Sequence, residues 1–212
     1  MNRIFLAGLL GGIAMFGWAY LAYTALPVGN IGLRRMPNEI ALLETLQKEI
    51  AENSGVYVFP GLRLPSNPPD GKTKTLDDLD QTVARYPSGL LIYNAAGSRP
   101  IKMFRWLSVD FLIELAEVAL AVFLLSQTRL TTFVARVRFV LLIGIVAAIA
   151  TNLSNWNWYG FPLDYTLACI CIQAVGFLCA GLVAATVLRK QIFGVTLHRS
   201  FFREISRTTL AD

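Results

Sequence analysis

Hydrophobic and polar residues are separated into long blocks along this chain, and four apolar blocks are long enough to cross a membrane. A helix needs about 20 predominantly apolar residues to span the hydrocarbon core of a bilayer. The four blocks are residues 4–26, 106–125, 139–158 and 163–188. The pattern therefore predicts an all-α membrane protein with four transmembrane helices.

The first apolar block could belong to a signal peptide or to a retained membrane anchor. Its apolar stretch is longer than the ~7–15 residues usual for a signal peptide, its basic region holds only Arg3, and no A-x-A cleavage site follows. We therefore expect it to be the first transmembrane helix. Gly8 and Gly12 within it have the spacing of a small-residue contact face between membrane helices.

Residues 27–105 form a polar segment between the first two blocks, with the pattern of a small α/β domain. Apolar residues recur at helical spacing after Pro37, and "GVYVFPG" is typical of a short strand that ends in a turn. "TLDDLDQTVARY" predicts a second helix capped by Thr75, and "SGLLIYN" predicts a second strand. Two strands are weak alone, so we expect this domain to lean on the helix bundle or on a partner.

The loop charges predict an orientation. The loop after the second block holds Arg129, Arg136 and Arg138 without an acid, the tail 189–212 is rich in Arg, and the loop around "NWYGFPLD" has no basic residue. Short basic loops stay in the cytoplasm. We therefore expect cytoplasmic termini, an extracytoplasmic domain at 27–105 and a basic cytoplasmic tail.

Composition agrees with a membrane protein. Hydrophobic residues make up 55% of the chain and charged residues only 16%, against about 25% in soluble domains. The net charge of +5 does not indicate nucleic-acid binding, because no helix face concentrates the basic residues. The lipid bilayer is the predicted environment, with a membrane-protein partner or a second copy of the chain as the expected contact.

Three acids interrupt the second apolar block. Asp110, Glu114 and Glu117 are spaced i, i+4, i+7, so they share one stripe of a helix. Near the middle of the bilayer an acid costs roughly 2.5–3.5 kcal/mol, and such residues almost always face a bundle interior or a water-filled cavity. These acids are the strongest functional clue in the sequence.

The third and fourth blocks place amides at matching depth. Asn152 and Asn155 lie on one face of the third block, and Gln173 lies on the fourth. At 1.5 Å per residue, these side chains fall in the same half of the bundle as Glu114 and Glu117. The sequence therefore predicts a polar pocket that is open towards one side of the membrane.

Three interpretations of the acids remain open. The carboxyls are neutral or hydrogen-bonded to nearby Asn, Gln and Tyr and fix helix register, or they receive a basic group from a partner protein, or they bind a proton, cation or small ligand. Asp110 alone is also explained by its place in the first turn of a helix, where the helix dipole favours an anion.

The link between the third and fourth blocks is aromatic. Trp156, Trp158 and Tyr159 precede a turn at Gly160 and Pro162. This pattern fits an interfacial aromatic belt beside a tight turn. The alternative is a surface for a lipid or a quinone-like ligand.

Sequence signatures of an enzyme or a metal site are absent. The chain contains no phosphate loop, no H-E-x-x-H, no G-x-S-x-G and no C-x-x-C. Cys169, Cys171 and Cys179 lie in one apolar block, and the single histidine, His198, lies in the tail. We therefore expect no catalytic residues, no metal and no cofactor.

Several short strings carry a resemblance. "PNE" at 37–39, "GVYVFPG" at 55–61, "YPSGLLIYN" at 86–94 and "WNWYGFP" at 156–162 resemble a family of small bacterial four-span integral membrane proteins of unknown function. The resemblance covers nearly the whole chain. It implies a bacterial membrane protein with an exported loop and implies no activity.

Taken together, the residues favour a non-enzymatic accessory or assembly subunit of a membrane complex. The alternative is a small transporter or sensor that uses the intramembrane carboxylates Glu114 and Glu117. Transporters usually contain internal repeats or broken helices, and the sequence contains neither. Four short spans without a catalytic set therefore favour the accessory subunit.

Overall fold

The structure is a computed structural model that describes the backbone of residues 2–60 and 76–208 and the side chains of residues 3–60 and 80–189. Within these ranges the chain forms six α-helices, one short 3₁₀-helix and one two-stranded sheet. In chain order they are α1 (Asn2–Thr24), the 3₁₀-helix (Pro27–Asn30), α2 (Glu39–Ile50), β1 (Gly55–Phe59), α3 (Leu76–Arg85), β2 (Gly89–Tyr93), α4 (Met103–Ser126), α5 (Phe133–Tyr159) and α6 (Leu163–Thr208).

The chain divides into two compact units. The first comprises Met1–Gly32, Met103–Ser154 and Pro162–Asp212, and the second comprises Leu33–Lys102 and Asn155–Phe161. The first unit thus contains the long helices, whereas the second contains the α–β–α–β segment that the sequence predicts.

Three helices in the described ranges are long and apolar enough to cross a membrane. They are Arg3–Thr24 within α1, Phe133–Tyr159, which is α5, and Leu163–Arg189 within α6. α4 is 24 residues long but holds three acids in its middle, so its length and composition alone do not place it in this group. The fold is therefore that of a multi-pass α-helical membrane protein.

The helix ends follow local chemistry more closely than the apolar blocks do. α1 ends at Thr24, two residues before the predicted end, because Pro27 disfavours helix in the residues before it. α5 begins six residues before its apolar block, where the Thr132 hydroxyl accepts a hydrogen bond from the Ala135 amide. α6 continues as one helix to Thr208, which gives the tail a helical backbone.

Contacts between helices make the first unit an antiparallel bundle. Gly8 and Gly12 of α1 lie against Ala119 and Leu115 of α4, so these two helices run in opposite directions. α1 and α6 are also antiparallel, with Met15 against Gly176. α5 and α6 are antiparallel as well, with Val137 against Gly181 and Gly144 against Phe177. One core contains residues from all four helices: Ala7, Met15, Val118, Ala121, Val122, Leu125, Val140, Phe177, Ala180, Ala184 and Leu188.

Glycines of α1 form a close contact with α4, on the small-residue face that the spacing of Gly8 and Gly12 predicts. A Cβ on Gly12 would lie 2.8 Å from Leu115 Cδ1 and 3.0 Å from its Cα, and a Cβ on Gly11 would lie 2.9 Å from Val118 Cγ1. The missing side chains let the helix backbones approach closely, which favours association in a lipid environment.

One antiparallel pair of strands forms the sheet that the structure describes in the second unit, and α3 lies in the connection between the two strands. β1 and β2 pair from Gly55 opposite Tyr93 to Phe59 opposite Gly89. Tyr57 and Tyr93 pack edge to face on one side of it, with ring centroids 6.5 Å apart. The Tyr57 hydroxyl donates to the Asn53 carbonyl at 2.6 Å. These contacts confirm the predicted pairing of the two strands.

The second unit buries little apolar surface of its own. No residue of α2 is buried, and Ile40 and Leu43 on its apolar stripe are exposed. The paired residues Val56 and Ile92 are also exposed, each at 64%. This thin core agrees with the expectation that two strands and two helices need further support. The predicted capping residue Thr75 lies outside the described residues.

Candidate functional site

The three acids of α4 lie on the side of the helix that continues into the core. Asp110, Glu114 and Glu117 share a stripe that reaches Ala121 and Leu125 at the following turns. Ala121 and Leu125 are buried at 1% and 3% exposure. Asp110 is exposed, whereas Glu114 and Glu117 are half-buried. The stripe therefore passes from an exposed acid to a sealed apolar core within α4.

α1 packs beside the acidic stripe. The ring of Phe16 meets that of Phe111 edge to face, with centroids 5.3 Å apart. About two turns later on α1, Tyr23 lies within electrostatic range of the Asp110 and Glu114 carboxyls. The last turn of α1 thus brings a phenol to the acids of α4.

α6 completes this arrangement. Tyr165 in its first turn forms a side-chain hydrogen bond with Cys169 and interacts electrostatically with Tyr23. Cys169 in turn lies within electrostatic range of Tyr23. Gly32, at a φ of +79°, allows the chain to pass directly over Tyr165, where any Cβ would lie 2.5 Å from the Tyr165 Cβ. Three helices therefore build one polar cluster, which consists of Tyr23, Asp110, Glu114, Tyr165 and Cys169.

One carboxylate oxygen in this cluster lacks a partner. Glu114 Oε2 is buried and accepts no hydrogen bond from any residue that the structure describes. An unsatisfied buried polar atom costs about 1–3 kcal/mol, and more when it is charged. Glu114 is therefore the member of the cluster that gains most from a proton, a cation or a basic group supplied from outside the described chain.

The predicted amide partners are directed elsewhere or stand apart from the cluster. The Asn152 amide donates to the Ala148 carbonyl of its own helix at 2.9 Å. Gln173 is half-buried on α6, and no hydrogen bond joins it to the acids within the part of the chain that the structure describes. Thr166, on the same face of α6, is buried and donates to the Pro162 carbonyl at 2.9 Å. Asn152 and Thr166 thus donate hydrogen bonds to backbone carbonyls four residues earlier in the chain.

The aromatic segment belongs to the second unit. Asn155 is half-buried there. Trp156, Trp158 and Tyr159 are exposed, as an interfacial belt or a ligand surface would require. Gly160 follows at a φ of +67°, in the left-handed region that a tight turn needs. In the first turn of α6, the Asp164 carboxylate accepts a hydrogen bond from the Tyr165 amide at 2.9 Å.

Sequence reasoning missed Tyr23 and Tyr165 as members of the polar cluster. Both tyrosines lie at helix ends, where an aromatic belt already explains them. The signal that could have found them is depth: in an antiparallel bundle, the last turn of α1, the early turns of α4 and the first turn of α6 meet at one end. A tyrosine hydroxyl at that level is within reach of Asp110.

Basic residues collect at the opposite end of the first unit, which we name the basic end. The antiparallel contacts bring together the start of α1, the turn from α4 to α5 and the part of α6 near residue 189. No Asp or Glu occurs between residues 118 and 163. The bundle is therefore polarised along its length, with its acids towards one end and most of its guanidinium groups at the other, while Arg105 in the first turn of α4 lies at the end with the acids. The basic end contains Arg3, Arg129, Arg136, Arg138 and Arg189.

These features define the class as a multi-pass helical membrane protein with a polar cluster at one end of its bundle. No family model matches the chain, and no curated protein or solved structure is similar to it. Among the residues that the structure describes, no three His, Cys, Asp or Glu side chains come together as a metal site.

Proposed function

We propose that this chain is a non-enzymatic accessory or assembly subunit of a complex in a bacterial inner membrane. In this proposal α4 is the second of four transmembrane helices, residues 27–105 are extracytoplasmic, and both termini are cytoplasmic. The acids of α4 are the proposed contact with the partner.

The packing of α4 supports its assignment as a span. Val118, Val122 and Leu125 belong to the same core as residues of α1, α5 and α6. At about 1.5 Å per residue, its 24 residues cover roughly 36 Å, which exceeds the ~30 Å of a hydrocarbon core. The acids lie on its bundle side, where intramembrane carboxylates are tolerated.

The basic end supports the proposed orientation. Arg129 lies in the short connection between α4 and α5, and Arg136 and Arg138 lie in the first two turns of α5. Basic residues in short connections and at the adjoining helix ends obey the positive-inside rule. Placing this end in the cytoplasm sends the start of α4, with Asp110, to the outer side. The acids then face the side of the membrane on which the domain at 27–105 lies.

The observation that carries the proposal is the buried, unpartnered Glu114 Oε2 beside an exposed apolar surface of the same helix. Ile113 and Leu120, on the side of α4 next to the acidic stripe, are 51% and 63% exposed. A partner helix that covers these residues can direct a Lys or Arg to Glu114. The pair would satisfy the carboxylate and fix the depth of the partner in the membrane.

Quantitative mass spectrometry of proteins that co-purify with the tagged full-length chain in mild detergent tests this proposal. We expect one stoichiometric partner, lost with Glu114→Lys. It should fall about tenfold or more with Glu114→Gln, since removing one member of a buried charge pair costs about 2–5 kcal/mol. Glu49→Lys, an equal charge change on exposed α2, is the matched control. Equal loss in the control, or no loss in either Glu114 variant, would refute the assignment.

A second candidate is a small transporter or sensor for a proton or cation. The observation that favours it is the electrostatic interaction of the Tyr23 phenol with the Asp110 and Glu114 carboxyls, since a phenol and carboxyls that interact can share a proton or a cation. Proton flux into liposomes that contain the purified chain alone would support this candidate, and Glu117→Gln should abolish the flux. A purified chain without flux, together with a stable partner, favours the accessory subunit.

A further inference from the structure

A groove at the turn from α4 to α5 is independent of the acids of α4. It has a volume of about 450 Å³, within the ~300–1,000 Å³ of ligand sites in proteins. Apolar side chains form most of its wall, and one guanidinium and one hydroxyl lie among them. We name it the Arg138 groove; it is lined chiefly by Leu130, Thr132, Val134, Arg138, Phe139 and Leu142.

Hydrogen bonds fix the conformation of the turn beside this groove. Arg136 Nε donates to the Leu130 carbonyl at 3.0 Å, which ties the turn back to α5. The Thr128 hydroxyl donates to the Leu125 carbonyl at 2.8 Å and anchors the turn to α4. The Thr132 hydroxyl caps α5 with a lone pair, so its proton is free for a ligand. The groove is therefore held open by contacts within the chain.

Polar and apolar groups are ordered along the groove. Leu142 lies one turn beyond Arg138, about 6 Å deeper along α5. Thr132 and Leu130 lie at the opposite end of the groove, in the connection that precedes α5. A ligand that fits this order has a charged head beside Arg138 and an apolar body against Phe139 and Leu142.

The charge of the surroundings selects the sign of that head. Arg129 and Arg136 flank the groove along the chain, and residues 118–163 contain no acid. Arg136 Nη1 is buried without a hydrogen-bond partner among the described residues, so part of this guanidinium is left unsatisfied by the described chain. Basic pockets at the membrane surface between helices bind anionic lipid headgroups.

We propose that the Arg138 groove is a binding site for one anionic phospholipid, with Arg138 and Thr132 on the phosphate and an acyl chain along Phe139 and Leu142. The site lies in the leaflet that meets the basic end. It needs neither a partner protein nor the α4 acids, so it stands whether or not the accessory role is correct.

Native mass spectrometry of the full-length chain in detergent, titrated with phosphatidylglycerol or with phosphatidylcholine of the same acyl chains, tests the proposal. We expect phosphatidylglycerol to bind about fivefold more tightly or better, the effect of roughly one interfacial cation. Equal affinity for the two lipids overturns the proposal without any variant. Release of bound lipid by millimolar inorganic phosphate would also overturn it, since that result describes an ion site rather than a lipid site.

Variants then locate the site. Arg138→Gln should weaken phosphatidylglycerol binding about fivefold and leave phosphatidylcholine unchanged, whereas Arg138→Lys should retain most of the preference. Arg129→Gln removes an equal charge from the same turn but does not line the groove, so it should leave the preference intact. Equal weakening by Arg138→Gln and Arg129→Gln would show diffuse attraction to the basic end and would contradict a defined site. Gel filtration verifies that each variant folds.

Discussion

At the scale of single residues, small side chains decide which groups of the bundle can meet. Gly176 leaves room for Trp18, whose indole Nε1 donates to the Ile172 carbonyl at 2.9 Å. The sequence predicts Trp18 as a member of an aromatic belt, but this hydrogen bond also fastens α1 to α6. A glycine one turn after the acceptor exposes that carbonyl to a neighbouring helix, which no pattern of apolar residues records.

The glycines of α1 provide a prediction at this scale. Gly12→Ala should destabilise the bundle by about 1–3 kcal/mol, because the added methyl group meets Leu115 at 2.8–3.0 Å. Gly17→Ala is the matched control, since nothing lies within 4 Å of a Cβ there. Thermal unfolding in detergent measures both variants. A Gly12→Ala protein as stable as Gly17→Ala would contradict the close α1–α4 contact.

At the scale of elements, α4 is the helix in which composition and packing disagree. Its acids separate it from the three apolar helices, yet it shares their core. The disagreement is resolved if its insertion depends on the neighbours that cover the acidic stripe. α1 is the neighbour that packs against Leu115 and Phe111, on either side of Glu114.

Membrane insertion of α4 alone tests this dependence. Residues 103–126 placed in a reporter protein should insert incompletely, since a central acid costs about 2.5–3.5 kcal/mol. The triple variant Asp110→Asn, Glu114→Gln, Glu117→Gln should insert more completely, and co-expressed α1 should raise insertion of the unmodified segment. Equal insertion of the unmodified and triple-variant segments would mean that the acids avoid the hydrocarbon core.

Periodicity predicts most elements of this fold, and side-chain packing explains the rest. The apolar blocks predict α1, α5 and α6, and the pattern from Pro37 to Asn94 predicts α2, β1, α3 and β2. The extent of α6 to Thr208 is not visible in an apolar block that ends near residue 188. The acidic stripe is predictable from spacing, whereas its neighbours Tyr23 and Tyr165 depend on helix direction and on Gly32.

At the scale of the whole molecule, the separation of charge along the bundle predicts its topology. After replacement of the three native cysteines by serine, we expect Glu52→Cys to react with a membrane-impermeant maleimide in intact cells. Arg129→Cys should react only after the membrane is permeabilised, because short basic loops stay in the cytoplasm. The reverse labelling pattern would invert the proposed orientation, and labelling of both in intact cells would exclude α4 as a span.

The polarised charge also restricts how copies of this chain can meet in a bilayer. Carrying one charge against a potential of 100 mV costs about 2.3 kcal/mol, so a bundle with guanidinium groups at one end does not turn over after insertion. All copies then stand parallel, and any closed ring of them has its rotation axis along the membrane normal. A two-fold contact through α4 would place Glu114 of one copy at the same depth as Glu114 of the other, where like charges repel. Symmetry thus favours an unlike helix as the neighbour of α4.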